Sequence, residues 1–115
     1  MNPEFNAQLA AACQRVHELA ARNGFWGEGT KTTLGLAAKI ALLHSELSEL
    51  LEAIRKDPTA PCDKTPELTR EEEEVADVFI RLMDYCAARG IDLGRVTAVK
   101  HEYNATRPYM HGKKA

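Results

Sequence analysis

The chain has 115 residues, a formal net charge of −2 and 28% charged side chains. That balance argues against gripping nucleic acid through bulk positive charge, and the length allows one domain, taken as residues 1–115, small enough that a partner chain would help cover its apolar surface. No apolar run approaches the ~20 residues that span a bilayer and no basic segment leads into one, so a cytoplasmic protein without membrane contact is expected. The three cysteines, Cys13, Cys62 and Cys86, are odd in number and contain no CxxC pair, which excludes a disulfide framework or zinc finger. Cys13 and Cys86 read as small apolar residues on helix faces.

Pro3 suits the first turn of a helix that runs through Leu9, Val16 and Leu19 to Asn23-Gly24, where glycine accepts a left-handed cap. Phe25 to Thr30 breaks the periodicity and forms a glycine-bounded loop carrying Phe25 and Trp26. Thr32 or Thr33 caps a second helix, whose positions Leu36, Ile40, Leu43, Leu47, Leu50 and Ile54 step by four and three, the seam of a helix packed lengthwise. Residues 57–68 carry Pro58, Pro61 and Pro66 and read as a flexible connecting loop. Thr69 to Glu72 has the form of a capping box opening a third helix through Val75, Val78, Phe79, Leu82 and Cys86 to Arg89-Gly90. Asp92 caps a fourth helix with Val96, Val99 and Tyr103, ending before Pro108, and residues 110–115 form a polar, basic tail. No segment alternates like a strand, so the fold class is an all-α bundle of about four helices.

Two acidic pairs of the same form stand out, Glu46-x-x-Glu49 on the second helix and Glu74-x-x-Asp77 on the third. Residues three apart lie about 60° apart around a helix axis, so each pair points its carboxylates one way. Both pairs border an apolar seam. If the helices pack with these faces together, four carboxylates converge and need compensation. Oxygen-only ligands suit Mg²⁺, with Mn²⁺ as the alternative. Salt bridges from Arg81 or Lys39 are the competing compensation. Glu71, Glu72 and Glu73 are most simply capping and dipole residues, and Glu52 faces solvent.

The order Lys39, Glu46-Leu47-Ser48-Glu49, Glu74-Val75-Ala76-Asp77, then Lys100 through Asn104-Ala105-Thr106-Arg107-Pro108 and His111-Gly112-Lys113 resembles the MazG-like nucleoside triphosphate pyrophosphohydrolases from Thr33 onward. The resemblance implies an all-α dimer, or a tetramer made of dimers, that hydrolyses a (deoxy)nucleoside triphosphate to monophosphate and pyrophosphate and cleanses the nucleotide pool. It implies Glu46, Glu49, Glu74 and Asp77 as magnesium ligands. It also places Lys39, Lys100, Asn104, Arg107 and Lys113 on the substrate. Many members write EExxE where this chain has Ser45 before Glu46, so Glu46 or Glu49 is the expected catalytic base. Trp26, the one tryptophan, is expected to stack on the nucleobase with Phe25 packed beneath it, or else to plug the end of the bundle. Asn6, Gln8, His17 or Asn23 could supply hydrogen bonds to the base. The alternatives are a hydrolase of phosphoribosyl-ATP, a non-catalytic helical dimerisation module, and, more remotely, a phosphotransfer bundle using His44.

Overall fold

The computed structural model of the chain describes residues 2–112, in which four α-helices run in order: α1 (Pro3–Arg22), α2 (Thr33–Lys56), α3 (Arg70–Arg89) and α4 (Leu93–Ala105). A 3₁₀ turn, Tyr109–Gly112, follows. Among the described residues there is no strand, only an isolated bridge between Pro61 and Thr69, so the all-α class holds. Among the described residues no helix is long and apolar enough to cross a membrane.

Side chains placed at each helix start satisfy the first free backbone N–H groups. Thr32 accepts from Gly35 N at 3.1 Å and Asp92 from Arg95 N at 3.2 Å. Thr69 and Glu72 form the reciprocal capping box, at 3.2 and 2.9 Å. At the end of α1, Gly24 takes φ +91° while its N–H bonds Ala21 O and the N–H of Phe25 bonds Ala20 O, both at 3.0 Å. This left-handed cap turns the chain back across the helix end and fixes where Phe25 and Trp26 emerge.

The proline-bearing connection from 57 to 68 closes on itself through main-chain bonds. Cys62 N bonds Leu68 O at 3.1 Å, Arg70 N bonds Ala60 O at 2.8 Å, and Cys62 is buried. The three prolines forbid a helix there without preventing a tight turn held by its own main chain.

Helix α3 is central, with α1 and α2 packed along it and α4 against α1. The α1–α4 crossing is close, because a Cβ on Gly94 would lie 2.6 Å from Asn6 Oδ1. Among the described residues the buried apolar side chains are few: Cys13, Ala53, Cys62, Met83 and Cys86. On α2, Leu36, Ile40, Leu43 and Leu50 are half-buried, whereas Leu47, Leu51 and Ile54 are 46–56% exposed. Val75 and Phe79 of α3 are exposed to a similar degree, at 51 and 45%. The seam read from the sequence is therefore only partly covered within one chain.

Two global measures agree. The accessible surface is 8454 Å², against roughly 6,300 Å² for a compact monomer of this mass. The radius of gyration is 16.6 Å, against about 13 Å.

Candidate metal centre and its two cavities

The lengthwise packing of α2 on α3 brings the acidic pairs toward one another. One carboxylate oxygen each from Glu46, Glu74 and Asp77 lies within 4.8 Å of the other two. All three side chains are half-buried. Glu49 is exposed and lies outside this triad, although it lines the same cavity. Its spacing is right, but position 49 sits on the outer edge of the α2 face.

Burial and the neighbouring carboxylates make Glu74 and Asp77 hold their protons more tightly than usual. Burial, then the charges of Asp77, Glu46, Glu49 and Glu73, push the Glu74 carboxyl up. Burial, then Glu46 and Glu73, push Asp77 up, with Arg81 and Lys64 opposing. The donor set is oxygen-only and anionic, the kind that hard divalent cations take. Compensation is already partly present, because Arg81 Nε donates to Glu46 Oε1 at 2.8 Å. Arg81 thus acts as the salt-bridge partner anticipated for the acidic pairs, while Lys39 does not. Glu73 does more than complement the helix dipole. It is half-buried and its carboxylate raises the pKa of the buried Cys62 thiol.

Glu46 and Asp77 stand where two cavities adjoin. On one side is a polar space of about 810 Å³ floored by the 57–68 connection and lined by Glu49, Glu73, Lys64 and Arg70. On the other is a smaller, mostly apolar space of about 410 Å³, walled by Val16, Leu19 and Ala20 of α1, the rings of Phe25 and Trp26, and Ile80 and Tyr85 of α3. The carboxylates share a wall with both.

Within the apolar cavity Trp26 is held rigidly. Its indole N–H donates to both oxygens of Asp84 at 2.8 Å, and His17 Nδ1 lies 2.8 Å from Asp84 Oδ1. The His17 ring meets the indole edge-on, with centroids 5.5 Å apart. Lys39 donates to the Phe25 carbonyl and sets its ammonium 4.3 Å from the Trp26 ring centroid. Phe25 does not pack beneath Trp26 as expected; it is 51% exposed at the cavity mouth. The Schellman-type turn at Gly24 sends it outward.

Of the remaining expected residues, Asn23 lines the apolar cavity. Asn6 lines neither cavity, its Oδ1 buried against Gly94 without a hydrogen-bond partner, and Gln8 is exposed. Lys100, Asn104 and Arg107 line neither cavity. Lys100 and Asn104 lie on α4, whereas Arg107 falls past its end at Ala105 and not on the helix as expected; Lys100 and Arg107 are both set on the Tyr103 ring, at 4.8 and 5.8 Å, and Asn104 Oδ1 is shut from water without a partner. Lys113 falls outside the described residues. Sequence reasoning passed over Asp84, though a signal existed, since it follows Asp77 by seven residues and so shares its helix face. No known family model, curated protein or solved structure matches the chain.

Proposed function

We propose that the protein is a Mg²⁺-dependent, MazG-like pyrophosphohydrolase that cleaves a (deoxy)nucleoside triphosphate into monophosphate and pyrophosphate. The observation that carries this reading is the position of Glu46 and Asp77 at the junction of an aromatic-walled cavity and a polar one. A nucleotide has the same division, with an apolar base at one end and an anionic chain at the other. The bond to be broken then falls beside the carboxylates.

Glu46, Glu74 and Asp77 would hold the ion, which supplies neutralisation of the phosphate chain and acidification of the attacking water. Glu49, exposed beside the triad and free of it, is the residue best placed to orient and deprotonate that water. Trp26 and Lys39 form the wall along which the base lies. Lys64 and Arg70, in the polar cavity, are cations available to phosphate oxygens beyond the junction.

Lys100, Asn104 and Arg107 reach a substrate in this arrangement only from a second copy. The surface in excess of a compact monomer, roughly 2,000 Å² per chain, falls in the range of obligate dimer interfaces. Leu47, Leu51 and Ile54 of α2 with Val75 and Phe79 of α3 supply its apolar part. A homodimer, or a tetramer made of dimers, is the assembly this reading requires.

The test is product analysis. Incubation with each common ribo- and deoxynucleoside triphosphate and Mg²⁺ is expected to release pyrophosphate in equal amount to monophosphate, and Glu74→Gln is expected to abolish it. Release of orthophosphate, or no turnover of any triphosphate, would overturn the reading. The bond from Arg81 to Glu46 favours a second reading, a non-catalytic helical dimerisation module in which the acids are held by salt bridges. Under that reading Mg²⁺ leaves the melting temperature unchanged.

A further inference from the structure

The aromatic cavity contains one acid that the metal centre does not use, Asp84. Its side chain is 14% exposed, it lines the cavity, and two rings fix its orientation. A carboxylate accepts and does not donate, and its two oxygens offer about four lone-pair sites. Trp26 N–H is shared between both oxygens and His17 engages only Oδ1. Oδ2 therefore keeps acceptor capacity, and Asp84 lines a cavity whose other walls are largely apolar.

We propose that Asp84 makes this cavity selective for nucleobases bearing an exocyclic amino group, cytosine and adenine, over uracil and thymine. This rests on the reading that the cavity takes the base. An amino group brings Asp84 a further donor for the acceptor capacity that Trp26 and His17 leave open. A carbonyl at the same ring position sets two acceptors against each other without a proton between them, and a polar group left unpaired inside an apolar cavity costs roughly 10- to 100-fold in affinity. The same pairing of carboxylate with cytosine amine is used where proteins read base edges. Trp26 and His17 act as positioning residues, since they hold the carboxylate in one orientation.

Trp26 is the one tryptophan in the chain, so its fluorescence reports on this cavity directly. The full-length protein, kept in EDTA so that no metal chemistry intervenes, is titrated with deoxycytidine, deoxyadenosine, deoxyuridine and thymidine. The amino-bearing pair is expected to quench at concentrations at least about tenfold lower than the other two. Asp84→Asn, whose amide both donates and accepts, is expected to reduce that ratio to about threefold or less, whereas Asn23→Ala shifts all four nucleosides together. Because Asp84 also ties α1 and the loop to α3, the wild-type protein is titrated in addition with N4,N4-dimethyldeoxycytidine. Loss of the deoxycytidine advantage on this analogue supports the assignment without any variant. Equal quenching by deoxycytidine and deoxyuridine overturns the role of Asp84 while leaving the base cavity standing. No quenching by any nucleoside overturns the base cavity itself, and the selectivity with it.

Discussion

Replacing Asp77 by asparagine sets the two accounts of the acidic cluster against each other. The oxygens of Glu46, Glu74 and Asp77 lie within 4.8 Å of one another. Two unit charges at that separation repel by about 3.5 kcal/mol at an effective dielectric constant of 20 and by about 0.9 kcal/mol in bulk water. These side chains are half-buried, so each pair is set at about 1–2 kcal/mol. Asp77→Asn removes two of the three repulsions and forfeits part of the attraction from Arg81, for a net gain of about 1–2 kcal/mol in the metal-free protein. At this chain length that corresponds to a melting temperature higher by about 4–8 °C. Saturating Mg²⁺, at 100 times its dissociation constant, adds about 2.7 kcal/mol to the wild type and little to the variant, so the order of stability reverses. Thermal melts followed by circular dichroism, in EDTA and in Mg²⁺ at one protein concentration, read both effects. A variant that melts lower in EDTA, beside a wild type indifferent to Mg²⁺, would refute the reasoning and favour structural salt bridges.

The same cluster fixes a pH dependence. Glu74 and Asp77 bind protons more tightly in the folded chain than at their ordinary values of 4.5 and 3.8, so the native state carries the extra protons and stability falls as pH rises through that window. In EDTA, the urea midpoint of the wild type measured against Glu74→Gln/Asp77→Asn is expected to be relatively higher at pH 5 than at pH 7; the opposite slope contradicts the raised pKa values. Thr69→Ala removes the hydroxyl that accepts from Glu72 N, while the residue-69 N–H keeps its bond to Glu72, and is expected to cost about 1 kcal/mol by urea denaturation, with no change in Mg²⁺ affinity. Gly94→Ala drives a methyl group to 2.6 Å from Asn6 Oδ1, and the expected loss is about 1–3 kcal/mol, absent if the α1–α4 crossing is looser than described. Leu47→Glu/Leu51→Glu is expected to give a monomer by light scattering, and an unchanged mass would place the interface elsewhere.

The helices were legible because their start and stop signals are local. Thr69 with Glu72, Asp92, and the glycines at 24 and 90 act within one turn of where they stand in the sequence, and each performs its expected role. The convergence of Glu46 with Glu74 and Asp77 was legible too, since spacing on a helix sets the face and the adjoining seam sets which faces meet. Glu49 shows where that reasoning stops, because a position 60° further round a helix lies at a rim or inside it according to the crossing, which spacing does not specify. The main-chain bonds that close the 57–68 connection were hidden because proline content reports what the backbone refuses, not which partners the remaining N–H groups find. The link from Asp84 to Trp26 and His17 spans 58 and 67 residues, and no local pattern encodes such a pairing. The stripe expected on α4 is cut short because the helix ends at Ala105, before Arg107, and the distance of Lys100 and Asn104 from the acids depends on α4 packing against α1, a tertiary fact.

The central claim is that three carboxylates from α2 and α3 cage a divalent cation, and its most direct test is an anomalous difference map from crystals soaked in Mn²⁺. The account predicts one or more peaks contacted by Glu46, Glu74 and Asp77, with the Glu46 carboxylate turned from Arg81 toward the ion. A map without density among these side chains at saturating Mn²⁺, with Arg81 still bonded to Glu46, would contradict it.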